Sequence, residues 1–521
     1  MSSIFSKVPV AKPRFNTFDL SHERKFSMGF GEMFPCFLAE TVPNDTFTVN
    51  TSQLVRVAPM VAPVMHQMSV YTHFFFVPNR ILWKGWEKFI NGGYQGTDAP
   101  VFPFLNLSAV TLSSLGESLG LPTWSGYSKQ VSAIPFAVYQ KIWYEYYRDQ
   151  NLTAEINWLE PDGAGLSDGD NAANFTSLIA DRYRCWMHDY FTSALPWTQR
   201  GAEATIPLGT TADVNYVNNS GRGTILRDPA TGNPLVIGTS VQIMSVTGGY
   251  LEGDAATNFE IQVDPTDDME VDLSTATAAS INDLRRAYRL QEWLEANARA
   301  GARYNETIKV HFGIDPGDAR LQRPIFLGGS RAPIVISEVL QTSETATTPQ
   351  GTMAGHGVSV GGKNMFSYKC REHGFIMGIC TIMPKSAYQQ GIDRFWTKFD
   401  KFDYFWKQFA NIGEQAILNQ ELYVANDGLD DDVFGYTPRY AEYKYINDKV
   451  SGPFRSTLDE WHLGRIFSTR PTLSQNFVQL TPSELNRIFA VPGLSDQQFY
   501  VQMHHQVKAR RPMPYFGTPT I

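Results

Sequence analysis

Glycine and proline interrupt this chain too often for it to be built mainly from long helices. Forty-one glycines and thirty prolines are scattered through 521 residues, and such punctuation fits a β-rich architecture with many turns better than a helix bundle. The intervening segments agree. Residues 46–57 are rich in β-branched side chains, and MSVYTHFFFV at 68–77 places Met68, Val70, Thr72, Phe74 and Phe76 on one face of a strand, before Pro78-Asn79 breaks it. Residues 334–339 and 375–383 are further short buried runs between turns.

A few segments carry a helical period instead. In residues 135–149, Tyr139, Ile142, Trp143, Tyr146 and Tyr147 form an aromatic stripe. In residues 281–300, Leu284, Ala287, Tyr288, Gln291, Leu294 and Ala298 share a face, with Asn282 or Ser280 available as a cap. Both stripes read as core packing, and a third helix is expected over 405–421. The first thirty residues are polar with isolated aromatics and the cations Lys7, Lys12 and Arg14; lacking any period, they read as an extended arm. Residues 507–521, Pro-rich and basic through Lys508, Arg510 and Arg511, read as a second. Two arms on one globular body, 31–506, suit a protein that binds copies of itself.

Charge is unevenly spread. The chain carries −8 overall, and residues 201–278 hold eleven acids against only Arg222 and Arg227, so the remainder sums to about +1. This acidic stretch is rich in Thr, Gly, Asn and Asp, its only aromatics are Tyr216, Tyr250 and Phe259, and β-branched runs such as 235–246 point to a small β-rich, solvent-facing insertion. A near-neutral remainder is not that of a strongly basic nucleic-acid binder and cannot neutralise much phosphate by itself. Cys36, Cys185, Cys370 and Cys380 are too few and scattered for a disulfide framework and read as small buried hydrophobes. Residues 1–10 contain no continuous apolar stretch of the secretory type, and no segment has the ~18 uninterrupted apolar residues of a membrane span, so the protein is expected to work from solution.

Enzyme motifs fail on inspection. His22-Glu23 opens like a zincin helix, but Phe26 stands where the second histidine belongs. Residues 357–364 fit G-x-x-x-x-G-K, yet Asn364 replaces the Mg²⁺-binding hydroxyl, which leaves a Gly-rich loop as the plain reading. Cys370, His373 and Cys380 lack a fourth nearby ligand, and His504-His505 face opposite sides of a strand. Asp430-Asp431-Asp432 and the loop 162–171 do not follow a calcium-loop order. Trp83 and Trp86 have the π-faces for base stacking, with packing favoured. No catalytic, cofactor or metal residue is assigned. A carbohydrate-binding or hydrolytic β-sandwich stays open as the rival reading, because carboxylate pairs meet only in the fold.

The blocks FGEMFPCFLAETVPNDTF (30–47), FFFVPNRILWKGWEKFI (74–90), LRRAYRLQEWLEANARAGARYNETIKVHFGI (284–314), REHGFIMGICTIMPKSAYQQGIDRFW (371–396), GYTPRYAEYKY (435–445) and RRPMPYFGTP (510–519) carry a specific resemblance. In order and across nearly the whole chain, the sequence resembles the major capsid protein of microviruses, in particular the gokushovirus branch. That resemblance implies a mainly β fold, an eight-stranded antiparallel viral jelly roll whose large inter-strand insertions contain some helices. It implies self-assembly into a T=1, sixty-copy icosahedral shell around circular single-stranded DNA, with a small basic DNA-binding protein as partner and assembly in the bacterial cytoplasm. It further implies that the insertion projects at the three-fold axes toward a host receptor. On this reading Lys7, Lys12, Arg14, Lys508, Arg510 and Arg511 are the candidates to face the genome, and Tyr216, Asn218, Asn219, Arg222 and Tyr250 those to contact the host. Two departures from the family pattern stand out: Pro43-Asn44-Asp45 where Pro-Gly-Asp is frequent, and Pro324-Ile325 where Pro-Glu is.

Overall fold

The computed structural model describes residues 14–160, 162–202, 204, 213–216, 225–227, 260–262, 269–272, 281–300, 304–314, 317–318, 321–342, 350–490 and 497–516. Ten strands build its two main sheets: β1 (Asn16–Asp19), β2 (His22–Met28), β3 (Phe34–Thr41), β4 (Thr46–Val57), β5 (Met68–Pro78), β6 (Ile325–Pro333), β7 (Val335–Leu340), β8 (Met353–Lys369), β9 (Gly374–Pro384) and β10 (Phe499–Arg511). The first sheet has β10 at its centre, flanked by β4 and, on the other side, by β1 and β2 in succession; β8 and β7 follow beyond β4. The second runs β6-β5-β9-β3. Every pairing in both is antiparallel.

Alternation in the sequence dictates which way each strand faces. Along β4, Phe47, Val49, Thr51, Gln53, Val55 and Val57 are buried, while Thr48, Ser52 and Arg56 point to water. Along β10, Phe499, Val501, Met503, His505, Val507 and Ala509 are buried and every intervening residue from Tyr500 to Arg510 is exposed. These inward side chains meet Phe34, Cys36, Phe74, Phe76, Ile376, Cys380 and Ile382 of the second sheet in one core. Ring contacts cross the gap, Phe74 to Phe366 at 5.2 Å and Phe76 to Tyr368 at 5.1 Å.

The second sheet is covered on its other face as well, which is why β5 reads as an almost continuous apolar run. Phe75, Val77, Met377 and Ile379 turn away from the first sheet into a second core built around the helix Ile134–Tyr146. That helix is buried on nearly all sides, and its one buried ion pair, Lys141 to Glu145 at 3.0 Å, lies within it. A third cluster gathers Tyr190, Phe191, Tyr388, Ile417, Leu422, Phe434 and Phe477.

Several expectations need correction. Residues 14–30 are no arm: β1 and β2 pair with β10, Phe26 stacks on Phe34 at 3.9 Å, and Met28 and Phe30 are buried. Likewise residues 507–511 complete β10 at the sheet centre. The expected helix over 405–421 is instead a 3-10 turn (Lys407–Phe409), a strand (Glu414–Leu418) and a four-residue helix (Asn419–Leu422). Gly413, at φ 118°, stops helical continuation there. The Gly-rich run 357–364 lies inside β8, where a Cβ on Gly357 would sit 2.6 Å from the Val57 side chain; its glycines serve close strand approach. In the helix Ile281–Ala300, Leu284 and Tyr288 stay exposed while Ala298 is buried, and Asn282 lies within the helix, not at its cap.

The chain divides into two units, Met1–Arg200 with Ala296–Ile521, and Gly201–Glu295. In the second, Glu260–Gln262 pairs with Ile225–Arg227 and Met269–Asp272 with Asp213–Tyr216, all antiparallel. The run 235–246 lies outside the described residues.

Candidate interaction surfaces

The outward side chains of β10 and β4 make a continuous polar face on the first sheet. Tyr500, Gln502, His504, Gln506, Lys508 and Arg510 line β10, and Thr46, Thr48, Asn50, Ser52, Leu54 and Arg56 stand opposite them on β4. The face ends on charge: Lys508 lies between Asp19 and Thr48, and the Arg510 guanidinium rests 4.8 Å above the Phe15 ring. Arg14 is exposed beside it. Arg511 differs, being half-buried. Its Nε lies 3.3 Å from the Asp45 carboxylate and its Nη2 donates to the Glu40 carbonyl at 2.8 Å, so its charge is spent on the turn between β3 and β4. Lys7 and Lys12 lie outside the described residues.

That turn follows from its residues. Asn44 takes a left-handed conformation at φ 76°, the role a glycine commonly fills. Asp45 closes the turn by accepting from the Val42 N–H at 3.0 Å. Burial nonetheless pushes the Asp45 carboxyl above its ordinary range, against the pull of that hydrogen bond and of Arg511.

A second surface is the β7–β8 hairpin. Val335, Val339, Leu340 and Met353 are all exposed although β7 and β8 pair along six residues. An apolar ribbon open on its edge is marginal in water and calls for a covering partner.

Of the host-contact candidates, Tyr216 ends the strand Asp213–Tyr216, opposite Met269. Asn218, Asn219, Arg222 and Tyr250 lie outside the described residues.

Cys36, Cys370 and Cys380 are buried, and burial pushes the Cys36 and Cys370 thiols up to about 12. Among the described residues no three His, Cys, Asp or Glu side chains converge as a metal site would require, and no helix is long and apolar enough to cross a membrane. Trp83 is buried and donates to Asp168 at 2.7 Å, packing with Trp86 instead of presenting a face for stacking. What sequence reasoning missed is a dense run of exposed rings at residues 395–406. The density of Phe, Trp and Tyr there was the available signal.

Packed antiparallel sheets, long insertions between strands and broad outward faces define a structural β-sandwich, whose work is done by contact surfaces. The chain belongs to the capsid protein (F protein) family, whose model matches residues 6–521. It is 36% identical to the capsid protein VP1 of Bdellovibrio phage phiMH2K over 537 residues, covering 99% of this chain and 97% of that one. Its identity to the capsid protein VP1 of Chlamydia phage 1 is 34%, over 100% and 98% of the two chains. To the capsid protein VP1 of Spiroplasma virus 4 it is 32%, over 96% and 94%. The family is one of structural phage proteins, not of enzymes.

Proposed function

We propose that this chain is the major coat protein of a small phage and self-assembles into a T=1 icosahedral shell around circular single-stranded DNA. The observation that carries the reading is strand order. Apart from the β7–β8 hairpin, neighbours within each sheet are distant in sequence, β2-β10-β4-β8 in one and β3-β9-β5-β6 in the other, so the chain passes back and forth between sheets. That order supports an eight-stranded jelly roll, a double Greek key common in viral shells. Closed symmetry lets many weak contacts of one chain add up, and the exposed β7–β8 hairpin is a surface of the right kind.

In this reading the polar face of the first sheet, with Arg14, Lys508 and Arg510, is turned toward the genome; Lys7 and Lys12, outside the described residues, are proposed as further genome-facing cations. Arg511 contributes through its ion pair with Asp45, by holding the end of β10 in place. A chain of net charge −8 leaves most phosphate to be neutralised by a small basic protein. The acidic segment 201–278 is the part proposed to project at the three-fold axes and meet a host receptor, through Tyr216, Asn218, Asn219, Arg222 and Tyr250. Deleting residues 209–270 then leaves a folded, assembling subunit that no longer supports attachment to the host; loss of soluble subunit would make the segment structural instead.

Analytical ultracentrifugation with negative-stain imaging tests the central claim. Uniform icosahedral particles, or pentamers that build them, are expected from the chain produced together with its companion virion proteins. A subunit that stays monomeric at high concentration in their presence would overturn the reading.

A further inference from the structure

Outside the two sheets the chain carries a run of exposed rings. The seven aromatic side chains of residues 395–406, joined by Tyr443, keep between 46 and 91% of their surface in water. Taking about 200 Å² for a whole ring side chain, they leave on the order of 900 Å² exposed. The largest apolar patch on an ordinary monomer is roughly 300–600 Å², whereas one side of a stable protein interface covers about 800 Å².

This exposure does not come from a loose loop. The Asp403 carboxylate accepts from the backbone N–H of Phe399 at 3.0 Å and of Asp400 at 2.8 Å, closing one 3-10 turn. The Trp406 indole donates to the Lys401 carbonyl at 2.8 Å, and its backbone N–H donates to the Tyr440 hydroxyl at 3.2 Å. Arg394 anchors the start of the segment by donating to the Ala416 carbonyl at 2.6 Å and to Glu421 at 3.2 Å. The rings are thus held out in water by a fixed scaffold, which lowers the entropy lost when a partner covers them.

Lys398 ties part of the run together. Lys398 lies 4.1 Å from the Tyr443 ring centre and 5.9 Å from that of Tyr404. It lines two adjoining cavities of ≈ 410 and ≈ 550 Å³, the first bordered by Phe399 and Phe402, the second by Phe395, Tyr445 and Ile446. Charge selects the kind of occupant. Arg394, Lys398 and Lys449 are paired within the subunit to Glu421, Glu442 and Asp393. Within the segment the charges left are Asp400 and Asp403 against Lys401, a slight negative excess. Such a rim does not attract a phosphate backbone. Aromatic richness with little net charge is instead the composition of a protein interface.

We infer that residues 395–406 form a contact between copies, covered in the assembled coat by a second copy of this chain. The inference rests on the coat-protein reading and names the surface that reading leaves unspecified.

Hydroxyl-radical footprinting of intact particles and of subunits dissociated from them tests it directly. Trp396 and Phe399 are expected to be oxidised several-fold more slowly in particles, and to stay protected after the enclosed nucleic acid is digested. Equal labelling in the two states overturns the inference and leaves the coat-protein reading standing, since the particles exist. Protection that vanishes on nuclease treatment also overturns it, by assigning the rings to nucleic acid. A complete absence of particles defeats the coat-protein reading first, and this inference with it. In a second arm, Trp396→Lys with Phe399→Lys lowers particle yield by about an order of magnitude while subunit melting shifts by no more than about 2 °C. The conservative pair Trp396→Phe and Phe399→Tyr keeps the yield; undiminished yield from the lysine pair counts against the contact.

Discussion

His505 sits where the two sheets meet, its ring 5.2 Å from those of His22 and Phe37. Its nitrogens contact the Thr51 hydroxyl at 2.9 Å and the Cys36 carbonyl at 3.2 Å. A neutral imidazole satisfies both, donating to the carbonyl and accepting from the hydroxyl. Burial pushes this imidazole down to about 4, and burial with Arg184 nearby does the same to His73. Both folded values lie below the ordinary 6.5, so the unfolded chain binds more protons across the interval. The stability these neutral rings contribute is complete above 6.5 and is lost as pH falls toward 4. Denaturation of the unassembled subunit should show stability falling with a slope of up to about one proton per histidine. His505→Gln should shallow that slope whatever it does to absolute stability, and an unaltered slope would remove His505 from the account. At the β3–β4 turn, Asn44→Val is expected to cost about 1–2 kcal/mol, because a branched side chain resists φ 76°. Asn44→Gly should be nearly neutral, both read from urea midpoints.

Among the elements, the helix Ile134–Tyr146 depends on a charge pair that solvent barely reaches, with Lys141 and Glu145 side chains only 3% and 7% exposed. Lys141→Met should destabilise the subunit by roughly 3–5 kcal/mol by stranding a buried carboxylate. Adding Glu145→Leu should recover most of that loss, and a double variant no better than the single one would show that packing, not charge, sets the penalty. The aromatic stripe of this helix was legible because a core on every side rewards each apolar position. The alternation of β4 and β10 was legible for the same reason, one face being dry and the other wet. Elsewhere the local pattern was a poorer guide. Phe395, Phe399, Phe402, Trp406 and Phe409 fall at the spacing of an amphipathic helix, yet the segment breaks into 3-10 turns, one of them closed by the Asp403 carboxylate, and most of these rings stay outside. Residues 14–28 hid for another reason. Their strand character comes from pairing with a strand far away in sequence, and no local period reports it.

At the scale of the whole molecule, core and exposed surface have separate origins: two sheets close a common core, and the segments between strands carry much of the exposed apolar surface. The polar face of the first sheet gives one further expectation. Lys508→Glu with Arg510→Glu should leave the sheet folded, since both side chains point to water, but lower the DNA content of purified particles, measured as the ratio of absorbance at 260 to 280 nm. Unchanged content would turn that face away from the genome. The position of β10 has a consequence for how the chain comes to be folded at all. The Val507 N–H donates to the Ser21 hydroxyl across 486 positions, and β2 and β4 meet no common neighbour until this strand has been made. Synthesis proceeds from the other end, so both early strands wait as open edges through most of translation, exposed to mispairing. A chain cut short before residue 499 has no centre for its first sheet and offers no finished surface to another copy. Closure of that sheet is therefore a test of length, passed before a subunit becomes eligible to join any neighbour.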